Sequence, residues 1–206
     1  LSQALFDKRG GLSCSDVPSS GTWWGRVQEL DALPAEWSGW DSRATRLALR
    51  GLTADGFDAA VLAAVSRHGA SRVGLALGTS ASTIAVSEAA YSRGHFEAPQ
   101  DHEALNTLHG VTHFVQQRLG LQEPALTVST ACSSSAKVFA VAERWLRLQL
   151  VDAVVVAGVD ALSDSLLYGF NALGLLSNAP CRPVDASRAG ISLGEAAGFA
   201  LLQRLE

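Results

Sequence analysis

Among the residues of this chain that could do chemistry, Cys132 has the most deliberate setting. It stands inside Ser129-Thr130-Ala131-Cys132-Ser133-Ser134-Ser135, a cluster of small polar residues. Before the cluster comes the short apolar run Ala125 to Val128, which reads as a strand. After it, apolar residues recur at helical spacing as Ala136, Phe139, Ala140, Val141, Leu146 and Leu150. A strand that runs through a tight turn into a buried helix presents one side chain at a fixed point. The N–H groups that open a helix are unpaired, and its dipole favours negative charge there. A thiol so placed ionises more readily than a free one, and the thiolate is the nucleophile. Most free cysteines are small buried packing residues, but a packing cysteine needs no collar of serine and threonine. Cys132 is therefore assigned as a catalytic nucleophile. Cys14 and Cys181 fall in irregular segments with no such support.

His109 and His113 lie at i and i+4 on one expected helix, a metal-chelating spacing. No third ligand follows nearby, so the pair reads as surface or dimer-contact histidines and no metal site is assigned. Gly190, Gly194 and Gly198 are evenly spaced, yet they match neither a dinucleotide fingerprint nor a phosphate loop, because no lysine follows and no helix opens there.

The string TACSSS, followed in order by VVVAGVDAL, GFNALGLLS and RPVDASRAGISLGEAAGFALL, resembles the β-ketoacyl synthase family of fatty-acid and polyketide assembly. The resemblance reaches back to WWGRV at Trp23 to Val27, DSRATRLAL at Asp41 to Leu49 and VGLALGTS at Val73 to Ser80. It covers nearly all of residues 1–206, read as one N-terminal domain of such a synthase. The implied fold class is α/β: a thiolase-like N-terminal half with a mostly parallel mixed sheet covered by helices on both faces. The implied activity is decarboxylative condensation of an acyl group held on Cys132 with a malonyl-type extender. The implied partners are an acyl carrier protein and a second synthase-like subunit or a second copy of the chain, paired through the edge strand Ala125 to Ser129. No cofactor is implied. Phe170 matches a position near the acyl pocket. Lys137 reads as reaching solvent or Glu143, and Glu195 as a structural hydrogen-bonding group, since neither is a catalyst in the family. The decarboxylation donors of the family are two histidines, supported by a lysine, from a C-terminal half; none of His68, His95, His102, His109 or His113 sits in a matching motif. The family's first strand is also expected upstream of Leu1. Ala157, Ala189 and Ala197 stand where the family commonly has glycine, aspartate and glycine. Competing readings are a coenzyme A-dependent thiolase-like enzyme, a non-catalytic partner subunit such as a chain-length factor, and an inactive fragment. The first is opposed by TACSSS and the RPVD–GEAAG block, the second by the presence of Cys132.

The elements that must hold Cys132 follow from periodicity. A helical tail is expected over Leu1 to Gly10, then an irregular stretch to Trp40. Helices are expected from Asp41 or Ser42 to about Leu52, Asp55 to His68 with Phe57, Val61, Leu62 and Val65 inward, Ile84 to Ser92, and Asn106 or Thr107 to Leu119. A loop through Pro99 precedes the last of these. Strands are expected at Val73 to Leu77, Ala125 to Val128, Ala153 to Val156 and Ala197 to Leu202, with a helical turn at Asp164 to Phe170 and a long loop from Leu173 to Gly194. Strands separated by helices imply a parallel sheet. Length and a 48% hydrophobic, 17% charged composition fit a well-buried globular chain. A formal charge of -4 without clusters gives no support for nucleic acid or an anionic membrane as partner. No run approaches membrane-spanning length, and three scattered cysteines fit a reducing compartment, so a cytoplasmic location is expected.

Overall fold

A computed structural model describes residues 3, 6, 7, 9–17, 21–94 and 104–204. The elements in chain order are β1 (Ser13–Cys14), β2 (Trp23–Gly25), α1 (Arg43–Thr53), α2 (Phe57–His68), β3 (Val73–Gly78), α3 (Ile84–Ser92) and α4 (Gly110–Leu119). They continue with β4 (Ala125–Val128), α5 (Ser134–Arg147), β5 (Ala153–Asp160), α6 (Asp164–Ala172), β6 (Leu193–Gly194) and β7 (Ala196–Gln203). The chain divides into two compact units, Leu1–Gln28 with Leu162–Glu195 and Glu29–Ala161 with Ala196–Glu206.

In the second unit the strand order is β4-β3-β5-β7. The first three strands are parallel and β7 runs antiparallel to β5 over its whole length, from Ala153 opposite Gln203 to Asp160 opposite Ala196. All six residues of β3 are buried, as expected of a strand covered on both faces. One face carries Ala76, Val154 and Val156, with Ala200 and Leu202 beside them, and packs on Val138, Ala142 and Leu146 of α5. The other face meets α1, where a Cβ on Gly51 would touch Phe199 at 2.9 Å and Ala197 at 3.1 Å. The mixed, mostly parallel sheet with helices on both faces is thus observed. Ser42, not Asp41, caps α1: its Oγ accepts from Thr45 N–H at 3.2 Å while Thr45 Oγ1 accepts from Ser42 N–H at 2.9 Å. Asp41 instead pairs with Arg46, whose Nε donates to Oδ1 at 2.7 Å. Trp37 stands edge-on to Phe114 with centroids 5.6 Å apart, and Trp40 edge-on to His113 at 4.9 Å.

In the first unit, β2 pairs antiparallel with β1 and parallel with β6 in a small three-stranded sheet. The segment before Trp40 is therefore less irregular than its glycines and prolines imply. The strands are only two or three residues long, too short for alternation to register. Gln3 and Phe6 are helical and Asp7 N–H donates to Gln3 O at 2.9 Å, which fits the expected helical tail. The rest of that tail, and the loop through Pro99, fall partly outside the described residues.

Some inward-facing assignments are corrected. On α5 the buried residues are Ser134, Val138, Ala142 and Leu146, whereas Phe139 is half exposed and Ala136 and Ala140 exposed; Leu150, half exposed, lies past the end of the helix. The face that meets the sheet also carries Val141 and Trp145, packed partly buried against the core. On α2, Val61 and Ala64 are buried and Leu62 is exposed. β5 continues past Val156 to Asp160 because Ala157 and Gly158, which read as a strand end, pair with Phe199 and Gly198.

Candidate active site

The sheet positions the Cys132 turn by bringing three parallel strands to one end. β4 leads through Ser129 to Cys132, and β3 and β5 end beside it at Gly78 and Asp160. Two glycines let the helix start sit directly on the strands. A Cβ on Gly78 would lie 2.6 Å from both Ser134 C and Ser135 N, and one on Gly158 would lie 2.8 Å from Ser135 Cβ. Any side chain at Gly78 would push the first turn of α5 off the sheet.

The turn itself is held by the polar cluster. Thr130 N–H donates to Ser134 Oγ at 2.9 Å, and Ser134 Oγ donates to Ala131 O at 2.6 Å. Ser133 Oγ donates to Thr130 O at 2.9 Å and lies 3.0 Å from Thr130 Oγ1. Ser134 N–H also donates to Ala131 O at 3.1 Å. The collar that singled out Cys132 therefore shapes the backbone, a role that requires side chains able to donate and accept at short range. Ala131 has φ 51°, a left-handed conformation that costs a residue with a Cβ about 1–2 kcal/mol and persists only where surrounding bonds over-determine it. The thiol that follows is exposed. It stands one residue before Ser133, the N-cap of α5.

Sequence reasoning missed Asp160, the last residue of β5. Its Oδ1 accepts from Thr79 Oγ1 at 3.0 Å, Ser80 N–H at 2.7 Å and Ala81 N–H at 3.4 Å, and its Oδ2 accepts from Ser80 Oγ at 3.2 Å. The aspartate within VVVAGVDAL was visible, but nothing in the sequence tied it to Thr79-Ser80-Ala81 some 80 residues earlier.

Phe170 is half-buried on α6 of the first unit, whereas Cys132 belongs to the second. Glu195 is buried, and each carboxylate oxygen has a backbone donor: Val27 N–H at 2.9 Å and Leu162 N–H at 3.1 Å. That is the structural hydrogen-bonding role expected of it. Lys137 is exposed, while Glu143 pairs with Arg147 at 3.2 Å. His109 and His113 have ring centroids 6.3 Å apart, but each faces its own partner. His109 Nδ1 lies 2.7 Å from Thr127 Oγ1, which in turn lies 2.6 Å from Thr112 Oγ1, and His113 stands against Trp40. Burial and the neighbouring His113 hold His109 below the usual imidazole range, against an upward pull from Glu123. Among the described residues no group of three or more His, Cys, Asp or Glu could hold a metal, and no helix is long and apolar enough to cross a membrane.

A thiol on a strand-to-helix turn, at the end of a mixed sheet layered with helices, places the chain in the α/β class. Residues 42–206 match the β-ketoacyl synthase N-terminal domain, and the chain belongs to that family. It is similar to the ketosynthase solved in complex with its chain length factor from Xenorhabdus doucetiae, with 34% identity and a TM-score of 0.81 over 90% of this chain and 47% of that one. A β-ketoacyl synthase from Burkholderia phymatum STM815 shares the fold at 20% identity, with a TM-score of 0.79 over 99% of this chain and 54% of that one. Nodulation protein E of Rhizobium leguminosarum bv. trifolii is 38% identical over 89 residues, 43% of this chain and 22% of its own length. A phenolphthiocerol/phthiocerol polyketide synthase of Mycobacterium tuberculosis (strain CDC 1551 / Oshkosh) is 40% identical over 89 residues, 42% of this chain and 5% of its own. The chain thus spans about half the length of these solved structures, and its matches take in less than a quarter of these curated relatives.

Proposed function

We propose that this chain is the nucleophile-bearing N-terminal domain of a β-ketoacyl-acyl carrier protein synthase of fatty-acid or polyketide assembly. The observation that carries the reading is the exposed Cys132 on a backbone turn held by its own serine and threonine side chains at the end of three parallel strands. The Cys132 sulfur attacks the thioester carbonyl of an acyl carrier protein, forming a new C–S bond and releasing the carrier thiol. A malonyl-type thioester then loses carbon dioxide, and its carbanion attacks the Cys132 thioester and displaces the thiol. Sulfur serves both halves because it attacks well and leaves well. The Cys132 backbone N–H is one donor to the tetrahedral oxyanion. Phe170 borders the acyl pocket.

Decarboxylation needs further donors; no histidine of this chain sits in the family's motif for them, and they are assigned to a C-terminal half of the synthase. The exposed apolar side chains of α5, Phe139 with Ala136 and Ala140, fit a helix that the remaining half covers. The enzyme works with an acyl carrier protein, as a homodimer or beside a synthase-like subunit, in the cytoplasm and without a cofactor or metal.

The test is to alkylate all three thiols at mildly acidic pH and map the products. Cys132 is expected to react ahead of Cys14 and Cys181, and its labelling to vanish in Cys132→Ser. Cys14 or Cys181 reacting first would defeat the assignment. The chain alone is expected to accept an acyl group and form no β-ketoacyl product from acyl and malonyl carrier-protein substrates. Product formation by the chain alone would show that the donors lie within it.

A further inference from the structure

We propose that Asp160 is a positioning residue for Cys132, fixing through the Thr79–Ala81 turn the backbone conformation of the residue before the nucleophile. The inference rests on the reading of Cys132 as nucleophile. Side chains two apart on a strand share a face. Gly158 faces the first turn of α5, with its Cβ position 2.8 Å from Ser135 Cβ, so Asp160 points to the same side of the sheet just beyond the helix start. There its two oxygens gather the donors of the turn that follows β3. Oδ1 takes the Ser80 N–H at 2.7 Å and the Thr79 hydroxyl at 3.0 Å, and Oδ2 takes the Ser80 hydroxyl at 3.2 Å. The turn is closed again by Ser82 N–H donating to Thr79 Oγ1 at 2.8 Å, and Thr79 N–H ties it to Val128 O of β4 at 3.1 Å.

The Ser80 hydroxyl reaches the nucleophile's turn: its Oγ lies 3.5 Å from Ala131 O. That carbonyl belongs to the residue with φ 51°. Its other donors, Ser134 N–H and Ser134 Oγ, come from the same short segment. Ser80 makes the contact from outside it, its one hydroxyl proton shared between Asp160 Oδ2 at 3.2 Å and Ala131 O at 3.5 Å, and Asp160 sets where that hydroxyl sits. Without the carboxylate, Ser80 and its turn lose their common anchor, and the Ala131 carbonyl loses its tie to the connection that follows β3. The thiol then samples other directions while the strands around it stay paired.

The experiment compares the full chain with Asp160→Ala and Ser80→Ala. It measures the iodoacetamide alkylation rate at each cysteine across pH by peptide mass spectrometry, with the melting temperature alongside. Cys14 and Cys181 belong to the other unit and act as internal controls. The expected result is a fall in the Cys132 rate on the order of tenfold in both variants, as for a misplaced reacting group, with the control thiols unchanged. Ser80→Ala removes one hydroxyl and decides the matter if Asp160→Ala does not fold. Ser80→Thr, which keeps the hydroxyl, is expected to retain the rate. A wild-type Cys132 rate and pH profile in Ser80→Ala overturns the proposal, as does an equal change at all three thiols, which would make the role one of general stability. Failure of the unaltered chain to favour Cys132 is a different result, because it removes the nucleophile reading itself.

Discussion

Single residues carry the strain and the satisfaction that the site depends on. At Gly78 the constraint is closeness: a methyl group there meets backbone atoms of Ser134 and Ser135 at 2.6 Å, and backbone cannot move aside as a flexible side chain would. Gly78→Ala is expected to destabilise the chain by about 1–3 kcal/mol, the usual cost of overpacking, read from the urea midpoint, and to slow Cys132 alkylation with it. An unchanged midpoint would mean that α5 does not sit on β3 as described. At Glu195 the constraint is pairing. A buried carboxylate receiving two backbone N–H groups holds the chain at Val27 and Leu162. Glu195→Ala leaves both donors without it, and hydrogen bonds to charged groups contribute roughly 1.5–3 kcal/mol. Hydrogen exchange at the Val27 and Leu162 amides is expected to accelerate well before exchange in β3 and β5, and equal protection in the variant would deny Glu195 its role.

Elements were legible where periodicity or punctuation was strong. α3 (Ile84–Ser92) and β4 (Ala125–Val128) have the bounds their sequence implies, and the small polar cluster after β4 marked the turn that carries Cys132. What escaped was set by contacts between distant segments. On α5, Leu146 and Val141 stand in the helical stripe that the sequence implies and do pack on the sheet. No local pattern chooses Val138 and Ala142 over Phe139 as their companions, because both sets recur at helical spacing and only the sheet decides between them. Asp160 likewise gains its meaning from a turn on another connection. The link between α4 and β4 is of the same kind, and it titrates. His109 at the start of α4 meets Thr127 of β4 at 2.7 Å, faced by His113 and Glu123, and burial foremost holds its pKa below the ordinary 6.5. A group depressed in the folded state contributes stability that is complete above its unfolded pKa and is lost as pH falls toward the folded value. The melting temperature is therefore expected to decline as pH drops below 6.5, with part of that decline removed in His109→Asn. A slope identical in the variant would assign the pH dependence to other groups.

At the scale of the whole molecule the open question is what covers β4. It is the outer strand of its sheet, and its sequence Ala-Leu-Thr-Val has none of the lysines, prolines or inward charges that blunt an exposed edge. Leu75 N–H donates to Pro124 O at 3.0 Å and Thr79 N–H to Val128 O at 3.1 Å, so the even-numbered residues turn their backbone groups toward β3. By the alternation of a strand ladder, Thr127 then directs its N–H and C=O away from the sheet. Leu126 is 42% exposed on the same strand. An apolar edge with open backbone groups pairs most simply with a second copy of itself about a twofold axis, and Ala125 to Ser129 is the segment expected to form that contact, with α4 beside it. Leu126→Arg places a charge on this edge without touching the hydrogen bonds to β3. It is expected to weaken self-association at least tenfold, about 1.4 kcal/mol, by sedimentation equilibrium, with the melting curve of the dilute monomer unchanged. A chain that sediments as a monomer at all accessible concentrations, or a variant that dimerises as tightly as the parent, would place the partner of β4 elsewhere.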